Sequence, residues 1–180
     1  MTKQDPIEML LEDHKKVQTL FNDFNKSEDE AARQNIVNKV CAELTLHAQV
    51  EEEIFYPAVR EAIDSEDLMD KAMVEHAAAK HLVHELETMQ ASDALYKAKF
   101  TVLGEYVNHH IEEEQAQIFP KVKKAKIDLE SLGREMADYK QELTAQQFEE
   151  DTGIIDELEQ SQKDPDQLQT EQASSSKTGR

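Results

Sequence analysis

Apolar residues recur at helical spacing in five segments of this chain, roughly 5–25, 29–62, 66–90, 93–126 and 129–149. Breaks fall at Asn25-Lys26-Ser27, at Asp64-Ser65, at Ala91-Ser92-Asp93 and near Lys126-Ile127-Asp128, where Ser or Asp can cap the next helix. Connections this short favour antiparallel neighbours, so the expected fold is all-α: an up-down-up-down four-helix bundle with no strands. The fifth segment carries Leu129, Leu132, Met136, Tyr139 and Leu143 on one stripe, which predicts a short helix packed on the bundle. Beyond Gly153 very few apolar residues remain and serines close the chain, which predicts a disordered acidic tail. The expected organisation is a bundle over 1–128, a C-terminal helix over 129–152 and a tail over 153–180.

The pattern repeats. "LHAQVEEEIFYP", which ends at Pro57, aligns with "HHIEEEQAQIFP", which ends at Pro120, so that His47 meets His110 and Glu51 meets Glu114. Asp13-His14 similarly meets Glu75-His76, each pair on an apolar helix. A step of about 100° per residue puts His47 and Glu51 within roughly 40° of each other. That face is the apolar one, shared with Val40, Leu44, Ile54 and Ala58, while Glu52 and Glu53 point away into water. In the fourth helix His110 and Glu114 continue the stripe of Leu103 and Val107, and His109, Glu112 and Glu113 leave it. His14 sits amid Ile7, Leu10, Val17, Phe21 and Phe24, and His76 amid Leu68, Met69, Ala72, Ala79 and Val83. Each helix of the bundle therefore aims a histidine inward.

One inward histidine is ordinarily a hydrogen-bonded core residue. Four of them with two inward glutamates are another matter, because a buried carboxylate is costly unless it is paired or binds a metal. Direct Glu–His pairing without metal is the plainer alternative. Imidazole and carboxylate donors without thiolate suit iron, manganese or zinc, and two carboxylates from opposite hairpins make a dinuclear site plausible. Ferritin-like dimetal bundles use Glu-x-x-His, which occurs nowhere in this sequence.

Together these motifs resemble the hemerythrin-like, or HHE, cation-binding domains: Asp13-His14, His47-x-x-x-Glu51, Glu75-His76 and His110-x-x-x-Glu114 in order, over about residues 5 to 126. The resemblance implies an oxo- or hydroxo-bridged centre of two iron ions, with Glu51 and Glu114 bridging and His14, His47, His76 and His110 as terminal ligands. The oxygen-carrying hemerythrins place a further histidine four residues from the third-helix ligand, but here those positions are Ala72 and Lys80. Water or another side chain would fill the gap. Tyr106 and Glu43, each four residues before a histidine of the set, flank the inner stripe and could fill that gap, but are expected instead to hydrogen-bond ligands, while His81 and His84 are expected either at the surface or in such a supporting role.

Charge and cysteine content narrow the context. A net charge of −19, from 39 acidic and 20 basic residues, repels a phosphate backbone, so no nucleic-acid partner is expected. The basic run Lys121, Lys123, Lys124 and Lys126 reads as a solvated helix end. A lone cysteine, Cys41, leaves no internal disulfide and fits a reducing cytosol, and no segment is apolar enough for export or a membrane anchor. The expected protein is cytoplasmic. It binds or reacts with dioxygen, hydrogen peroxide or nitric oxide at iron, in stress defence or sensing. The alternatives are an iron or oxygen sensor or iron-handling protein without turnover, and a zinc-filled or metal-free structural bundle.

Overall fold

A computed structural model describes residues 5–162, with side chains to residue 147. Its elements are α1 (Pro6–Lys26), α2 (Glu30–Val50), π1 (Glu51–Phe55), α3 (Tyr56–Ala62), α4 (Glu66–Glu87), α5 (Tyr96–Glu113), π2 (Glu114–Ile118), α6 (Phe119–Val122) and α7 (Leu129–Gln162). Because α2, π1 and α3 run on without a break, as do α5, π2 and α6, the bundle has four rods. α1 packs on α2, α2 on α4, α4 on α5 and α5 back on α1, which closes the ring. No strand occurs among the described residues.

The starts of the rods follow local chemistry. Asp5 caps α1 by accepting from the Ile7 and Glu8 amides at 2.9 and 3.4 Å, with Pro6 in the first turn where its missing N–H costs nothing. Asp29 caps α2 by accepting from the Ala32 amide at 2.7 Å, so the cap lies past Ser27, which closes α1 instead. The fourth rod begins at Tyr96 and not at 93, because Asp93 spends its carboxylate on the Gln90 amide at 2.8 Å and Leu95 takes a left-handed φ of 70°.

Two apolar layers enclose the middle of the bundle. One contains Phe21, Phe24 and Phe100, with ring centroids 4.9 and 4.2 Å from Phe100, and also Val37, Val40, Leu86 and Leu103. Gly104 lets the Phe21 ring approach closely, since a Cβ there would lie 3.1 Å from Phe21 Cδ1. The other layer contains Ile7, Leu10, Phe55, Val59, Met69, Ile118 and Phe119.

The fifth helix is not short. α7 runs for 34 residues, through Gly153, where the sequence predicted a tail to begin. A single mid-helix glycine costs only about 1 kcal/mol, and the Glu- and Gln-rich residues around it are good helix formers. Of the expected tail, residues 163–180 lie outside the described residues. Chain contacts group the residues up to Lys140 into one unit, in which Leu132 and Met136 are buried, and from Gln141 onward into a second.

Candidate metal centre

All six predicted residues are buried between the two apolar layers: His14 on α1, His47 on α2, Glu51 opening π1, His76 on α4, His110 on α5 and Glu114 opening π2. Glu51 is 0 % exposed and Glu114 1 %. Glu51 Oε2 lies 3.2 Å from His47 Nε2 and 3.3 Å from His76 Nε2, and His76 Nε2 lies 3.1 Å from His110 Nε2. Donor atoms of His14, His47 and Glu51 fall within 4.8 Å of one another, as do those of Glu51, His76 and His110, so two potential cation positions share Glu51. His14 Nε2, Glu51 Oε1 and both Glu114 carboxylate oxygens are buried without a hydrogen bond. His14 Nε2 and Glu114 Oε2 are 3.3 Å apart but not aligned to share a proton. Stranded polar atoms cost about 1–3 kcal/mol each, and converging imidazole and carboxylate lone pairs are what a cation satisfies. The donor set therefore fits metal.

The outward ring nitrogens are occupied too. His47 Nδ1 faces Asp13 Oδ2 at 3.4 Å, His76 Nδ1 faces Glu52 Oε1 at 3.0 Å, and His110 Nδ1 faces Glu75 Oε2 at 3.0 Å. A carboxylate there keeps the proton on Nδ1 and leaves the Nε2 lone pair pointing inward. His14 Nδ1 instead meets the neutral Gln115 amide at 3.2 Å. Glu52, expected to point into water, thus serves a histidine of the next helix. Glu43 and Tyr106, expected in such supporting roles, are elsewhere, and His84 takes the surface place that was its other expectation. Glu43 takes Lys16 at 2.5 Å, Tyr106 is 49 % exposed with no hydrogen bond to the site, and His84 is exposed beside Glu87. Lys80 is not a vacant ligand position: its Nζ grips both Glu52 oxygens at 2.8 and 2.7 Å. A third cluster, Glu75, His109 and Glu113, already holds the Lys71 ammonium.

The residue that the sequence reading missed is Tyr56. Its hydroxyl donates to Glu51 Oε2 at 3.2 Å and lies 3.3 Å from His76 Nε2 and 3.4 Å from His110 Nε2. Residues five apart on an α-helix face about 140° away from each other, so Tyr56 and Glu51 ought not to meet. Between them the backbone widens: the Tyr56 amide bonds the Glu51 carbonyl, five residues back. The doubled motif widens at the same place, with the Phe119 amide on the Glu114 carbonyl, and there the Phe119 ring stacks on His14 at 6.0 Å.

Electrostatics without metal are divided. Burial alone would raise Glu51, but the His47 and His76 imidazoles hold its carboxyl well below the usual range. Glu114 is driven well above it by burial and by the Glu51 charge. Burial would lower His47, yet Glu51 and Asp13 outweigh this and carry it to about 9, whereas burial and the His47 charge take His14 down to about 4. Burial and the two glutamates hold the Tyr56 phenol neutral.

A family model described as the hemerythrin HHE cation binding domain matches residues 5–122. The chain belongs to this hemerythrin family. It is 30 % identical over 126 residues to a protein of Nostoc sp. named DNA nickase, a match covering 68 % of this chain and 34 % of that one. It is 25 % identical over 125 residues to an uncharacterized hemerythrin-like protein of Schizosaccharomyces pombe, covering 68 % and 62 %. The chain thus spans about a third of the first relative's length and just under two thirds of the second's. A solved hemerythrin HHE cation binding domain-containing protein from Mycobacterium kansasii has the same fold, with a TM-score of 0.64 at 24 % identity, covering 75 % of this chain and 84 % of that one.

Beside the histidines of this hemerythrin-family site lies a cavity of about 40 Å³. Its lining combines the imidazoles with the aliphatic Val17, Leu44, Ala79, Val83, Val107 and Ile111 and with polar side chains that include Asp13, Glu43, Glu75 and Lys80. It is large enough for a water or a diatomic molecule.

Proposed function

We propose that this is a cytoplasmic non-haem di-iron protein that binds or reacts with dioxygen, hydrogen peroxide or nitric oxide, in stress defence or sensing. The observation that carries the reading is the cavity of about 40 Å³ lined by four inward imidazoles and several aliphatic side chains. In this reading His14, His47, Glu51, His76, His110 and Glu114 hold the two ions, and the Tyr56 hydroxyl beside Glu51, His76 and His110 is a further oxygen donor to the second position. Iron held there would supply electrons and open coordination positions for such small ligands. Asp13, Glu52 and Glu75 keep three of the histidines in the ligating tautomer.

A sensor or iron-handling protein without turnover is the second reading, favoured by the direct link from α7 to the site through Lys140 and Asp13. The nicking activity in the Nostoc relative's name belongs to a protein of which about a third is matched, and a charge of −19 opposes docking on a duplex. No helix among the described residues is long and apolar enough to cross a membrane.

The test is metal analysis of the purified protein with optical spectra before and after air and peroxide. About two irons per chain, near-ultraviolet absorption of a bridged centre and sustained peroxide consumption support turnover. Iron with no turnover supports the sensor. A fully folded protein that refuses iron sinks both.

A further inference from the structure

Three histidines of the centre share one construction. A lysine ammonium is paired with a carboxylate, by hydrogen bonds at two of the three and by a longer ion pair at His110, and the carboxylate accepts from the histidine's outer nitrogen. Lys80 holds Glu52 behind His76, and Lys71, 3.6 Å from Glu75, stands behind His110. Both of these lysines belong to α4. Behind His47 the lysine comes from α7, outside the four rods: Lys140 Nζ lies 2.6 Å from each oxygen of Asp13, and Asp13 Oδ2 is 3.4 Å from His47 Nδ1.

We propose that Lys140 is a positioning residue for the metal centre: by fixing the Asp13 carboxylate that orients His47, it sets how tightly the position built from His14, His47 and Glu51 holds a divalent cation. This rests on the metal-binding reading above.

Distances decide which partner controls Asp13. Two charge-assisted contacts at 2.6 Å outweigh one long contact at 3.4 Å, so the lysine and not the histidine sets the carboxylate's orientation. The pair is partly shielded, with side chains 26 % and 19 % exposed, so it is screened less than a surface ion pair. Without Lys140 the carboxylate can turn to water, and His47 loses the acceptor that holds its tautomer. The effect falls on one cation position only. His76 and His110 have acceptors of their own, whereas His14 is backed by the neutral Gln115 amide, so among the described residues Asp13 is the only carboxylate acceptor behind the histidines of the His14–His47–Glu51 position.

The experiment is titration of the full chain with cobalt(II), followed by visible absorption in competition with a chelator. The proteins compared are wild type, Lys140→Met, Lys140→Arg, Asp13→Asn and the double variant, each with a metal-free melting curve. Lys140→Met is expected to weaken one of two binding steps about tenfold and leave the other unchanged. Lys140→Arg should restore most of that loss. Asp13→Asn should weaken the same step, and adding Lys140→Met to it should weaken that step no further. Wild-type affinities at both steps in Lys140→Met or Asp13→Asn would overturn the proposal. Equal weakening of both steps with a lowered metal-free melting temperature would also overturn it, leaving Lys140 a helix-docking residue. Should Lys140→Met fail to fold, Asp13→Asn decides alone. A wild-type chain that takes up no cobalt overturns the metal reading itself, an outcome none of the variant comparisons can imitate.

Discussion

His47 and Glu51 are four residues apart on one face and meet at 3.2 Å with Glu51 fully buried, while His109, one residue from His110, is exposed. His47→Ala and Glu51→Ala are therefore expected to lose bound metal and His109→Ala to keep it, as metal analysis of the three proteins will show; equal metal content in all three would refute the assignment. The two histidines of the His14–His47–Glu51 position also give the metal-free protein a two-sided pH response. His14 is lowered from 6.5 to about 4, so its neutral burial stabilises fully above 6.5 and this is lost as pH falls towards 4. His47 is raised from 6.5 to about 9, so its charged pairing stabilises fully below 6.5 and is lost as pH rises through 9. The melting temperature of the chelated protein should peak between these limbs and fall on both sides. A melting temperature flat from 4 to 9 would contradict the placement of both rings. At this scale the inward residues were legible because period alone assigns a face. Glu52 is not turned to water as its helix face suggests, because its partner His76 lies on another helix, and Lys80, at the position of the absent histidine, holds that same carboxylate.

At the scale of elements, the two π segments decide what the centre contains. Each begins at a site glutamate and ends just ahead of a proline-containing turn, where Pro57 and Pro120 have no amide to donate. The widened turn adds one residue to the period, so the buried stripe shifts: Ile54 and Ala58, expected inward, are only half-buried, and Phe55 and Val59 are fully buried in their place. Tyr56 enters the site by the same shift. The start of α5 carries a different irregularity, with exposed Leu95 in the left-handed region at φ 70°. A branched side chain there costs about 1–2 kcal/mol, part of which glycine returns as chain entropy. Leu95→Gly is expected to stabilise by about 0.5–1 kcal/mol, read as a higher urea midpoint with an unchanged slope. A lower midpoint would mean that Leu95 contributes packing that offsets its strain.

For the whole molecule, the centre lies between two apolar layers contributed by all four rods, so a cation held there ties the rods together. A ligand bound only by the folded state stabilises by mass action, about 4 kcal/mol at a thousandfold excess over its dissociation constant. Adding ferrous iron anaerobically to the chelated protein should therefore raise its melting temperature by about 10 °C. No shift on adding iron would show that Glu–His pairing alone satisfies the site. The sequence by itself determined the all-helical bundle, its doubled hairpin and the six inward donors, because all of these follow from the helical period and the cost of burying charge. It fell short at the C-terminus, expecting the last helix to end by residue 152, just before a glycine that α7 passes through. Only the tertiary structure decided which carboxylate backs which histidine, that Tyr56 stands among them, and that Lys140 reaches Asp13. Those contacts join different helices, and their partners depend on how packing rotates and offsets one helix against the next, a quantity that no local period encodes.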